Sequence, residues 1–235
     1  MLRLGAVLVV FSWLWVIVLK FLPVPFTFTM LERSLKALSE GKDGTIYYEW
    51  RALHEISPYA QLAVISSEDQ NFPKHLGFDW QAIQTVIEEN KWRKKQGLPI
   101  RGASTISQQV AKNVFLWQGR SYFRKGLEAY FTILIELIWG KKRIIEVYLN
   151  IAEMGKHTFG IQAASRRFWA KNAKQLTQAE CAILAAVLPN PVVYSAKNPN
   201  QYVWIRQQQI LYQMQLLGGL NYLQKFNLCI KDKHN

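Results

Sequence analysis

The sequence predicts a mainly α protein with one N-terminal transmembrane helix, and three observations carry that reading. Leu4 to Leu19 holds no charged side chain and is strongly apolar. Five later segments repeat apolar residues at spacings of three and four, the period of a helix packed on one side. Strand-like alternation is scarce, and Thr45 to Trp50 is the best short candidate for it.

Taken in order, the first element is a helix from Leu4 through Leu22. At about 1.5 Å per residue it covers most of a roughly 30 Å hydrocarbon core. Lys20 can reach the headgroups, and Pro23 and Pro25 supply a stop. The apolar stretch is longer than a signal-peptide core and no small-x-small cleavage site follows, so residues 1–30 are expected to be a retained anchor and short linker. Residues 31–235 form the second unit. Local charge does not settle which way the anchor points, because a large domain translocates regardless of its charges. Helices are expected at Pro58–Phe72, Phe78–Asn90, Ser104–Leu116, Ser121–Trp139 and Arg143–Ile151. Lys91 to Ile100, with its cations, Gly97 and Pro99, reads as a loop. Thr177 and Glu180 form a capping box opening a helix that ends before Pro189-Asn-Pro191. A last helix runs from about Asn200 to Leu217 and stops at Gly218-Gly219.

A chain of 235 residues, half of them hydrophobic, suits one well-buried domain plus an extra segment. The net charge of +13 implies an anionic partner: nucleic acid, an acidic bilayer or a phosphorylated substrate. Charge alone does not choose among them. Cys181 and Cys229 lack the spacing of a disulfide framework, and Cys181, in the apolar run Ala179 to Leu188, reads as a buried thiol.

The chemistry concentrates between Glu68 and Glu128. From Asn90 to Leu127 there is no acidic residue, while Lys91, Arg93, Lys94, Lys95, Arg101, Lys112, Arg120, Arg124 and Lys125 all fall inside. Cations hold charged oxygens while a carboxylate moves a proton, so the pattern fits a phosphate-bearing donor beside an acid/base centre. Glu68 and Asp69 close an apolar helix, so one of them lies at the edge of the buried face, where desolvation raises a carboxylate's basicity. A solvated helix-end acid is the alternative. Four scattered histidines do not suggest a metal cluster, and His75 reads as a hydrogen-bonded residue beside the acids. In the second element Gly102 permits close backbone approach, and Ser104 or Thr105 either caps a helix or leaves N–H groups for an anion. Thr105, Gln109, Lys112 and Asn113 would share one helix face, with Ile106 and Val110 on another. In the third, Arg124 and Glu128 stand one turn apart, as in a plain surface ion pair.

Together and in this order, the three elements resemble glycosyltransferase family 51, the peptidoglycan polymerases, and within it the monofunctional biosynthetic peptidoglycan transglycosylases. Glu68, Asp69, Phe72, His75 and Gly77 meet the first motif. Gly102 to Gln109 with Lys112 and Asn113 meet the second, with Ser107 where a Thr is usual. Arg124, Lys125 and Glu128 meet the third, and Lys141 through Asn150 a fourth, with Gly140 where a Ser is frequent. The resemblance spans about Leu31 to Gly219.

The resemblance implies a lysozyme-like helical glycosyltransferase domain that joins lipid II into β-1,4-linked glycan strands, inverting the anomeric carbon and releasing undecaprenyl pyrophosphate. It implies catalytic roles for Glu68, as general base, and for Glu128, which would orient the site. Lys112, Arg124 and Lys125 would hold the leaving pyrophosphate, and Asp69, His75, Ser104, Thr105, Gln109 and Asn113 complete the substrate-binding set. A divalent cation, Mg²⁺ or Mn²⁺, is compatible with such a site, and no organic cofactor is expected. The expected partners are lipid II, the growing strand, the membrane and division or elongation proteins, without nucleic acid. The expected place is the bacterial inner membrane, with the catalytic domain periplasmic and a single span. No transpeptidase follows, so crosslinking is expected of other enzymes. Phe26, Phe28, Met30 and Leu31 are either a membrane-dipping segment or ordinary core. Two rival readings stand beside this one. A lysozyme-like hydrolase would need a protonating acid rather than a cationic belt; an anchored anionic-ligand module would tolerate loss of Glu68.

Overall fold

The computed structural model describes residues 2–119 and 121–228; Arg120 and Cys229, weighed above, lie outside them. In chain order the elements are α1 (Leu2–Phe21), α2 (Phe28–Ser39), β1 (Tyr47–Tyr48), α3 (Pro58–Glu68), α4 (Trp80–Lys95), α5 (Ile106–Phe115), α6 (Tyr122–Ile138) and α7 (Gly140–Ile151). Then come β2 (Glu153–Gly155), β3 (Thr158–Phe159), α8 (Ile161–Trp169), α9 (Gln178–Val187), α10 (Gln201–Leu216) and α11 (Leu220–Lys225). The protein is mainly helical, as expected.

α9 is the centre of one half of the core. Its capping box is present, with the Glu180 N–H donating to Thr177 Oγ1 at 3.2 Å and the Thr177 N–H to Glu180 Oε2 at 2.8 Å. Every residue from Cys181 to Val187 is buried, which requires cover on all sides. α3 and α10 supply it. In the other half, α5 packs against α6 and α7. The small sheet has the order β1-β3-β2, with β1 parallel and β2 antiparallel to β3. Asn150 ties it to the body: its side chain accepts from the Arg51 N–H and donates to the Arg51 carbonyl, both at 2.8 Å. Gly160 (φ +81°) passes so close that a Cβ there would lie 2.3 Å from the Asn150 carbonyl oxygen.

Two helix ends differ clearly from expectation. α3 stops at Glu68 rather than Phe72, because Asp69 leaves helical geometry and turns its carboxylate to the N–H of Ile106, 3.0 Å away. α4 runs on to Lys95, through half of the expected loop, since Arg93, Lys94 and Lys95 fall in its last turn, where cations meet the helix dipole favourably. The turn comes at Gly97, with φ +66°. α2, α8 and α11 were not anticipated. α2 is amphipathic, burying Met30 and Ala37 while Phe28 and Leu31 stay exposed.

α1 is a helix, as expected, and the expected span is not shown: among the described residues no helix is long and apolar enough to cross a membrane. Its attachment is firm. Val16 and Leu19 are buried against the body. The Trp139 indole donates to the Val16 carbonyl at 2.7 Å, Arg143 Nη2 donates to the Leu19 carbonyl at 2.8 Å and also to that of Leu22, and Ser12 meets the Tyr130 hydroxyl at 2.8 Å. Arg143 thereby satisfies carbonyls that a helix C-terminus leaves unpaired.

Candidate active site

The end of α3 sets Glu68 behind Gln109, which lines a cavity of about 340 Å³ together with Lys112 and Asn113 from α5, Tyr148 from α7 and Glu32, Arg33 and Lys36 from α2. Gln109 Nε2 donates to Glu68 Oε2 at 2.9 Å, and the buried Tyr148 hydroxyl donates to Gln109 Oε1 at 3.2 Å. The tyrosine fixes which end of the amide faces the carboxylate, leaving Glu68 one oxygen bonded and one free. Burial pushes the Glu68 carboxyl above its ordinary range; the Gln109 bond and the Arg206 guanidinium oppose that shift and neighbouring Asp69 adds to it. A desolvated carboxylate held by one amide is a strong proton acceptor.

Beyond Gln109 on the same helix face stands Lys112. Burial holds its ammonium below the usual lysine range; Glu128 counteracts this and the Arg124 and Lys125 charges reinforce it. Glu128 is buried on α6 and takes both cations, Arg124 Nη1 at 3.1 Å on one oxygen and Lys125 Nζ on the other. Arg124 Nε is buried without a hydrogen-bond partner among the described residues. Three cations around one carboxylate leave net positive charge and a free donor, the pattern that receives an oxyanion.

The remaining expected substrate binders face elsewhere. Asp69 is buried and accepts from His75 Nε2, 3.0 Å from both carboxylate oxygens, and from the Ile106 N–H. His75 Nδ1 accepts the Gly77 N–H at 3.1 Å, so the ring proton sits on Nε2 and is donated to Asp69. Thr105 caps α5 by accepting the Gln108 N–H at 3.2 Å and donates its hydroxyl to the Gly77 carbonyl at 2.6 Å. It therefore leaves the polar face expected of it. Gly77, with φ +88°, has no room for a side chain, since a Cβ would sit 2.6 Å from Thr132 Cγ2. Beside this knot Glu136 accepts from Lys141 Nζ at 2.6 Å and from the Ser107 hydroxyl at 2.5 Å, and Lys141 lies 4.5 Å from the centre of the Phe72 ring. Ser104 is exposed in the loop before α5. Thus Gln109, Lys112 and Asn113 line one cavity, with Glu68 bonded to Gln109 and Arg124, Lys125 and Glu128 grouped near Lys112, while Asp69, His75 and Thr105 brace the elements behind it.

Sequence reasoning missed Tyr148 as the residue that orients Gln109, and Arg206, whose Nη2 donates to the Ser67 carbonyl at 3.3 Å next to Glu68. Tyr148 lies within a recognised motif and was within reach of inference. Nothing in the sequence links Arg206 to α3. The Arg33–Glu153 pair on the cavity wall, Nε to Oε2 at 3.0 Å, was likewise unmarked.

A helical domain that sets a desolvated carboxylate near a cationic cavity has the parts of a transferase site. The family model described as Transglycosylase matches residues 36–215. Proteins named biosynthetic peptidoglycan transglycosylase are similar over most of the chain. That of Mannheimia succiniciproducens is 53% identical over 207 residues, 88% of this chain and 83% of the relative. Those of Pasteurella multocida (52% over 204 residues; 86% and 81%) and Yersinia pseudotuberculosis (51% over 214; 91% and 88%) are comparable. The chain belongs to the transglycosylase family.

Proposed function

We propose that this protein is a peptidoglycan glycosyltransferase with a lysozyme-like helical domain, polymerising lipid II into β-1,4-linked strands with inversion and release of undecaprenyl pyrophosphate. Membership of the family and the shared name of its relatives support the activity. The observation that carries the mechanism is the Tyr148–Gln109–Glu68 chain opening onto the cavity that also holds Lys112. Glu68 takes the proton of the acceptor's sugar 4-hydroxyl as its oxygen attacks the donor's anomeric carbon. The bond from that carbon to the pyrophosphate oxygen breaks, and the electron pair leaves with the pyrophosphate. Lys112, Arg124 and Lys125 stabilise that leaving anion through their positive charge. Glu128 holds Arg124 and Lys125 in place, and Asn113 contributes a polar contact on the cavity wall.

No cluster of three His, Cys, Asp or Glu side chains suited to hold a metal occurs among the described residues. The described residues therefore do not build a protein-held divalent site. The hydrolase reading lacks a second available carboxylate beside Glu68, because Glu128 gives both oxygens to cations.

We further propose that α1 is a single-pass anchor in the inner membrane with the catalytic domain on the periplasmic side. Its exposed side chains include Val7, Leu8, Val10, Phe11 and Leu14, an apolar surface that water does not favour. Detergent-purified protein given labelled lipid II, with and without Mg²⁺ or Mn²⁺, is expected to yield muramidase-sensitive polymer, and the Glu68→Gln variant none. Polymer from the variant would remove Glu68 as the base; cleavage of finished strands by the wild type would establish a hydrolase instead.

A further inference from the structure

Past Arg33 the catalytic cavity meets a second depression of about 210 Å³, with which it shares Arg33 and Lys36. One wall is the C-terminal half of α2 with the turn after it, and the other is the turn between β2 and β3, which carries Lys156 and His157. Both walls are fixed by their backbones. The Lys42 N–H closes the end of α2 on the Ala37 carbonyl at 2.8 Å. Across the gap the Lys156 carbonyl accepts from the Thr158 hydroxyl at 3.2 Å and from Arg167 Nη1 at 3.4 Å, and the His157 carbonyl accepts the Tyr47 N–H at 2.9 Å. The turn is held, and its lysine is exposed.

The lining carries four cations, Arg33, Lys36, Lys42 and Lys156, against two carboxylates, Glu40 and Asp43. Both carboxylates are engaged: Glu40 takes Lys42 at 2.6 Å, and Asp43 accepts the N–H and the hydroxyl of Thr45. Arg33 meets Glu153 through Nε, at 3.0 Å. Lys36 and Lys156 pair with no carboxylate among the described residues. Two unpaired ammonium groups on fixed walls of one concavity are complementary to an anion. The leaving pyrophosphate has its own cations in Lys112, Arg124 and Lys125, and none of these lines the depression. The anion received here is therefore another part of the same substrate. Lipid II bears a short peptide on one of its sugars, and that peptide carries carboxylates. We propose that the depression between Lys36 and Lys156 binds the carboxylates of the lipid II peptide and so orients the sugar that bears it in the catalytic cavity. The inference rests on the lipid II substrate of the proposed function, and it gives a site to a part of that substrate that takes no part in the bond exchange. Binding energy from such a remote part is what positions the reacting atoms.

A carboxylate and a phosphate make the same demand on two lysines, so the test separates these sources. Full-length protein in detergent is given lipid II with its native peptide and lipid II whose peptide carboxylates are amidated; both keep the pyrophosphate. Amidation should raise KM for the wild type about fivefold, the upper end for a partly exposed charge pair, with kcat unchanged. Lys156→Gln should raise KM for the native substrate by a similar factor and add nothing for the amidated one. Lys94→Gln, at an exposed cation in the last turn of α4 that lines neither cavity, should leave both KM values at those of the wild type. An equal rise for both substrates in Lys156→Gln would overturn the proposal and assign the depression to a phosphate or a sugar; no rise for either would overturn it as well. Binding is read separately by saturation-transfer NMR on the soluble disaccharide-peptide, which has neither prenyl chain nor pyrophosphate. Transfer to the peptide protons is expected with the wild type and should be lost with Lys156→Glu, and equal transfer from the two proteins would overturn the proposal. Absence of polymer from the wild type would strike the proposed activity instead, and the NMR measurement would still read out the depression.

Discussion

Two buried polar regions lie a few residues apart in sequence and are built on opposite principles. Behind the site, Asp69, His75, Thr105, Ser107, Glu136 and Lys141 form a knot in which donors and acceptors are matched. In and beside the cavity, Glu68 has one bonded oxygen, Lys112 is desolvated near two other cations, and Arg124 Nε has no partner among the described residues. The first region stores stability; the second gives it up for reactivity. Asp69 and Glu68 are adjacent carboxylates on opposite sides of that division, which shows that the motif is two devices in one stretch of chain.

The sharpest test of the contrast is Glu68→Gln. Loss of a general base should lower polymerisation on the order of 10³-fold. Stability should move the other way. Glu68's carboxyl is raised in the folded protein, so its contribution is favourable below the unfolded pKa and is lost as pH rises through the folded one. At neutral pH the wild type carries that penalty and the glutamine variant does not. Thermal unfolding at pH 7 should therefore show E68Q more stable than wild type, with the gap closing in acid. The wild-type rate should fall as pH drops through a value above the roughly 4.3 of an ordinary glutamate. A destabilised E68Q would place Glu68 with the supporting knot instead.

Lys112→Met makes the same point with a cation. Removing one charge stabiliser should cost about 10²–10³-fold in turnover, while the loss of a buried ammonium whose charge is disfavoured there leaves the fold no less stable. Turnover assays and melting curves on one preparation check both halves. Asp69→Ala should do the reverse. It strands the Ile106 N–H and His75 Nε2, at about 3 kcal/mol in total, which for a domain of this size lowers Tm by about 10 °C. Activity at low temperature should outlast that loss. An unchanged Tm would show that the knot bears little of the stability.

How much of this was legible follows from what carries each signal. The helices α3, α5, α6, α7, α9 and α10 announce themselves through apolar period and caps, because the forces that set them are local. The end of α3 was not legible, since it depends on Asp69 meeting Ile106 from 37 positions away. The roles divided in the same way. The charge pattern singled out Glu68, Lys112, Arg124 and Lys125 and the family resemblance gave them their roles; the structure puts Lys112 on the cavity wall near Arg124 and Lys125, with Glu68 behind Gln109. Asp69, His75 and Thr105 were grouped with the substrate binders because motif membership does not say which way a side chain points. Arg206 stayed invisible, as its link to α3 crosses 139 positions.

The smallest expected effect probes the edge of the knot. Ser107 is fully buried and donates to Glu136 Oε1, which also holds Lys141. Ser107→Ala removes a bond to a charged acceptor that keeps its principal partner, so the cost should be about 1–2 kcal/mol. Lys141 should then carry more of the charge balance around Glu136. Adding Lys141→Met to S107A should accordingly cost more than the sum of the two single changes, because only the double change leaves the buried carboxylate with neither a counter-charge nor a side-chain donor among the described residues. A double-mutant cycle by denaturant unfolding measures that excess. Simple additivity would mean that the two contacts are independent and that the knot is a set of separate bonds, which would weaken the contrast with the cavity from the stable side.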